Sequence, residues 1–103
     1  MKFIIKEDKL RNIIYKFLDS NINLFEGDDG WYGDSGSENY VLFYHSRWTT
    51  LYVSFDLINR ISDFFNLSYS ESKIILTKWF EKKTGETTRE TIGATVTSIL
   101  LKK

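Results

Sequence analysis

The chain has 103 residues, no cysteine and no proline, and its 14 bases balance its 14 acids, giving a formal net charge of zero. That excludes disulfides, thiolate zinc sites, cysteine nucleophiles and proline-rich linkers. An apolar content of 42%, with 17% aromatic residues, predicts one globular domain over 1–103 that can bury a core without staples.

The apolar run Phe3–Ile5 is far too short for a signal peptide or a membrane span, so the expectation is a cytoplasmic protein without membrane association. Lys2–Lys6 reads as a short strand. From Glu7, Leu10, Ile13, Ile14, Phe17 and Leu18 recur with helical spacing, predicting an amphipathic helix to about Asp19 that ends at Ser20-Asn21. Glu7 and Asp8 fall in its first turn, where acids complement the helix dipole.

Glu26–Glu38 packs five acids, four glycines and the pair Trp31-Tyr32 into thirteen residues. Glycines and acids disfavour helix and strand interiors, so a long loop is expected there. Such loops are commonly functional, and two large aromatics in one suggest a contact surface. The candidate partner-binding residues are therefore Trp31, Tyr32, Asp28, Asp29 and Asp34, aimed at a protein partner with a basic surface.

Tyr40–His45 and Thr50–Phe55 are rich in aromatic and β-branched residues and predict a hairpin across Ser46–Thr49. Pairing Tyr44 with Leu51, Leu42 with Val53 and Tyr40 with Phe55 puts all six on the core face. Val41, Phe43, His45, Thr50, Tyr52 and Ser54 then form the opposite face. Asp56 is the expected N-cap of a helix through Asn66, with Leu57, Ile58, Ile61, Phe64 and Phe65 on its apolar side. Ser68-x-x-Glu71 is a capping box for a further helix to about Thr84, with Gly85 as its stop. Its buried arc is Ile75, Leu76, Trp79 and Phe80, and Ile74 lies on the polar side. In Thr87–Lys103, alternation of Ile92, Ala94, Val96 and Leu100 favours a strand, while Thr87-x-x-Glu90 and helical spacing of Ile92, Val96 and Ile99 keep a helix open.

The fold class expected is α+β: a small antiparallel sheet, made of the central hairpin and a C-terminal strand, packed by about three helices. Charge is uneven along the chain. Residues 1–25 carry five bases against three acids, 26–72 two against eight, and 73–103 seven against three. The simplest account is that basic ends fold near an acidic middle.

No catalytic constellation emerges. Gly33-Asp34-Ser35-Gly36 matches the tetrapeptide around a trypsin-like nucleophile, but those folds are too large for this chain, and the only histidine, His45, follows the serine instead of preceding it. Counted from Asp28, the calcium-loop pattern places Gly30, Tyr32 and Asn39 where oxygen ligands are required. A lone histidine without cysteine is a poor metal anchor. Ile61–Ser68 before a capped helix has the outline of a helix-turn-helix, yet its frame puts Ser72 at an apolar position and offers a weakly basic reading surface. No metal, cofactor or enzymatic activity is expected, and nucleic acid is disfavoured.

Met1-Lys-Phe-Ile-Ile-Lys-Glu-Asp-Lys-Leu-Arg-Asn-Ile-Ile14, with Phe64-Phe-Asn-Leu-Ser-Tyr69 and Lys78-Trp-Phe-Glu81, resembles small uncharacterised proteins of tailed bacteriophages. The resemblance implies a virion component or an accessory protein that binds a host factor. The expected function is a small non-enzymatic protein-binding module, a phage accessory protein inhibiting a host or defence factor. The alternatives are a structural virion part that self-assembles as a homo-oligomer and, behind it, a nucleic-acid binder.

Overall fold

The computed structural model describes residues 7–36 and 40–95. The expected strand Lys2–Lys6, Glu38, and the tail beyond Thr95 lie outside them. The described residues form helix α1 (Glu7–Asn21), strands β1 (Asn23–Glu26), β2 (Gly30–Asp34), β3 (Tyr40–His45) and β4 (Thr50–Ser54), helices α2 (Phe55–Phe65) and α3 (Tyr69–Thr84), and strand β5 (Glu90–Ala94). The sheet runs β1-β2-β3-β4-β5, antiparallel through β4, with β5 parallel to β4. This is an α+β fold whose sheet is mixed, not purely antiparallel. The α2–α3 pair supplies the crossover that a parallel neighbour requires.

All three helices pack on one face of the sheet. Ile14, Leu18 and Ile22 from the α1 region, Ile58 and Ile61 from α2, and Leu76, Trp79 and Phe80 from α3 close over Leu42, Tyr44, Leu51 and Val53. The hairpin register holds, with Leu42 opposite Val53 and Tyr44 opposite Leu51. The capping box of α3 is fully formed, and Gly85 stops the helix in the left-handed region. Ile74 is 54% exposed, as its place on the polar side predicts. The alternation in the tail yields a strand over Glu90–Ala94, and no helix starts at Thr87.

Several expectations are corrected. Glu26–Asp34 is not a loop but most of a hairpin, because cross-strand pairing outweighs the local cost of its glycines. Those glycines serve close packing: a Cβ on Gly30, at φ +150°, would sit 1.8 Å from the Tyr44 carbonyl oxygen, and one on Gly33 2.9 Å from the Leu42 side chain. Tyr40 does not pair with Phe55. An irregularity between Gly33 and Asp34 skips Val41, leaving Asp34 opposite Tyr40. Tyr40 therefore turns to the helix-free face and Val41 packs on the core, the re-aiming a β-bulge produces. Phe55 opens α2 instead and is 41% exposed. Ser54 rather than Asp56 is the N-cap of α2, its hydroxyl accepting from the Leu57 amide at 3.1 Å. Phe64 is 70% exposed, leaning on Phe17 at the rim of the core. The end of α1 falls at Ser20-Asn21 as expected, with the Asn21 side-chain amide donating to the Phe17 carbonyl at 2.7 Å.

Candidate binding face

Because strand side chains alternate, covering one face with helices leaves the other to the alternate members of each strand. Here that face carries a row in cross-strand register: Phe25 opposite Tyr32, Tyr32 opposite Phe43, Phe43 opposite Tyr52, and Tyr52 opposite Ile92. One residue from each strand thus makes a band across the whole sheet. Successive ring centroids are 5.6, 4.9 and 6.1 Å apart. Tyr40, delivered by the bulge, adds contacts at 5.8 Å to Phe25 and 5.0 Å to Tyr32. Spacings in this range suit aromatic contacts, each worth about 0.5–1.5 kcal/mol beyond area burial.

Exposure is graded along the band. Phe43 is 8% exposed at its centre, Tyr32, Tyr40 and Tyr52 are half-buried, and Phe25 is 41% exposed at the β1 edge. Beyond Phe43, His45 meets it edge-on and is itself stacked by Trp48 at 4.2 Å. Trp48 sits in the β3–β4 turn and is 54% exposed. The Ser46 amide donates to the Asp29 carbonyl at 2.9 Å, which ties this turn to the acidic β1–β2 turn. The Tyr32 ring lies where a Cβ on Gly27 would be, 2.4 Å from its Cε2. Burial pushes the Tyr32 phenol above its ordinary range, with Asp29, Tyr40 and Asp28 adding to the shift. Asp28 and Asp29 therefore stand at the rim of the aromatic band.

The five sequence-predicted site residues are divided by this geometry. Tyr32 lies on the aromatic face, and Asp28 and Asp29 lie in the β1–β2 turn that adjoins it. Trp31, one residue along the same strand, turns to the helix side, where it packs against the core and its Nε1 donates to Glu86 Oε2 at 3.3 Å. Asp34 ends β2 and accepts from the Gly36 amide at 2.6 Å. Phe25, Tyr40, Phe43, Tyr52 and Trp48 were not among the candidates. The signal that finds Phe25 is the pair of short runs around Gly27-Asp28-Asp29, which fits a hairpin turn as well as a loop.

On the helix side, Trp79 Nε1 donates to Asp19 Oδ1 at 2.9 Å, and Lys83 pairs with the same carboxylate at 2.8 Å. Burial alone would raise the Asp19 carboxyl, but the bonds from Lys83 and Trp79 and the charges of Lys83 and Lys82 outweigh it and hold it below its ordinary value. The basic C-terminal half of α3 thus meets α1 through Asp19.

Among the described residues no group of three histidine, aspartate or glutamate side chains could hold a metal ion, and no helix is long and apolar enough to cross a membrane. Comparison with family models, curated proteins and solved structures finds no match for this chain. Fold and site define its class without a family: an α+β protein with an aromatic sheet face opposite its helices.

Proposed function

We propose that this chain is a non-enzymatic protein-binding module whose partner docks on the aromatic sheet face. The observation that supports it is the continuous band Phe25–Tyr32–Phe43–Tyr52, with its exposed members Phe25 and Trp48 at the margins. Rigid aromatics remove much apolar area from water while ordering few torsions, which is why they anchor interfaces. Asp28 and Asp29 at the rim favour a basic partner surface and a salt-sensitive approach. The same acids disfavour nucleic acid, since a phosphate chain stacking on these rings would meet carboxylates at its entry. The resemblance of the opening segment to small phage proteins gives the setting, an accessory protein that inhibits a host factor.

The test is affinity capture of host proteins with the wild-type chain, a Phe25→Ala, Tyr32→Ala, Trp48→Ala variant, and a control Phe64→Ala, Ile74→Ala variant. A partner retained by wild type and control but lost by the face variant, with circular dichroism unchanged, is the expected result. Equal capture by all three would move the site off this face.

A further inference from the structure

We propose that the two edges of the sheet recognise each other, so that copies of this chain add head to tail into one continuous sheet. This goes beyond the partner-binding reading and concerns the two edges of the sheet, which share Phe25 and Asp28 with the margin of the proposed partner face. Among the described residues, β1 pairs only with β2 and β5 only with β4, which leaves the outer edge of each without a strand neighbour. An unpaired edge is a row of backbone donors and acceptors that templates a further strand. Strand directions decide whether the two edges are compatible. β5 is parallel to β4, and β4 runs opposite to β1, so a copy displaced along the sheet lays its β1 antiparallel beside β5. Antiparallel pairing is the slightly more stable of the two arrangements per residue.

Register follows from keeping each face continuous. Ile92 continues the aromatic row on β5, and Phe25 begins it on β1, so Ile92 falls opposite Phe25 of the next copy. Counting along the antiparallel pair, Thr91 meets Glu26, Glu90 meets the uncharged Gly27, and Arg89 meets Asp28 of that copy. Arg89, Glu26 and Asp28 are all exposed. On the helix side, a cavity of about 360 Å³ between α3 and β5 is lined by Lys73, Lys78, Glu81, Thr88 and Thr91, among others, and Glu81 accepts from the Thr88 amide. Lys78 is exposed there, near the position Glu26 of the next copy would take. The Thr88 hydroxyl oxygen is buried in the same place with no hydrogen-bond partner among the described residues. Arg89 and Lys78 on one edge thus face Asp28 and Glu26 on the other, and Glu90 falls opposite an uncharged residue, in the register that continues the aromatic band. The contact is heterologous: two different edges meet, so each added copy leaves a free edge of each kind for the next.

The test uses the purified full-length chain alone, so no partner protein enters. Sedimentation velocity over a concentration series at low salt should show the mean mass rising with concentration, and high salt should suppress the rise. Arg89→Glu and Asp28→Arg should each weaken self-association about tenfold or more. The double variant carrying both reversals restores the charge pair at every junction and should recover assembly. A wild-type chain that stays monomeric throughout would overturn the proposal. So would single reversals without effect, the result expected if these charges only keep the edges solvated, or a double variant no better than either single one.

Discussion

The two faces of one sheet differ in how they are finished. On the helix side, Leu42, Leu51 and Val53 are wholly buried under three helices, and the largest side chains, Trp79 and Tyr44, each spend their polar atom on a specific acceptor. On the other side, the rings of Phe25, Tyr32, Phe43 and Tyr52 lie against one another, and burial falls from the centre to the β1 edge. The same strands thus carry one face closed over by helices and one face on which the aromatic side chains cover only each other. Mutational cost should therefore separate the two faces, and the separation can be broken in several ways.

The largest effect is expected at Trp79. It is 1% exposed and bonded to Asp19, so Trp79→Ala should cost about 3–5 kcal/mol in denaturant unfolding. A loss no greater than that of Phe25→Ala would erase the distinction between faces. Next comes Gly30→Ala, at about 2–4 kcal/mol, because the new Cβ meets the Tyr44 carbonyl and the backbone sits at positive φ. Unfolding midpoints would check it; a neutral result would show that β2 can shift away from β3.

Trp31 and Phe25 sharpen the comparison, since both are aromatic, partly exposed and close together. Trp31→Ala should cost about 1–3 kcal/mol, because it packs under the helices and bonds Glu86. Phe25→Ala should cost less than about 1 kcal/mol. If the proposed function holds, partner affinity should show the reverse order, falling with Phe25→Ala and barely with Trp31→Ala.

The smallest effect concerns pH. Asp19 is held below its ordinary value of 3.8, so the stability it adds is complete above that pH and is lost as pH falls through its lower folded value. Asp19→Asn should therefore flatten the stability profile below about pH 4 and leave its shape near neutrality unchanged. Thermal melts of both proteins across the acid range would show it; parallel acid limbs would mean that Lys83 and Trp79 do not bias the carboxyl.

What the sequence determined by itself is what short-range rules encode. The body of α1, the capped start and glycine stop of α3, the pairing of Leu42 with Val53 and the strand character of the tail follow from periodicity and caps that neighbours enforce. Glu26–Asp34 could not be read this way, because its glycines and acids look like a loop until a partner strand is in place. Gly30 and Gly33 are there to admit Tyr44 and Leu42, residues nine or more positions away in sequence on the neighbouring strand. The bulge that sends Tyr40 to the aromatic face and Val41 to the core is likewise a property of two paired strands, not of either alone. The parallel placement of β5 depends on where the α2–α3 hairpin returns the chain. The candidate site inherits this division: Tyr32, Asp28 and Asp29 were visible in the sequence, but their separation from Trp31 and union with Phe25, Phe43 and Tyr52 arose only when alternation was fixed by pairing, since one residue along a strand is the opposite side of the sheet.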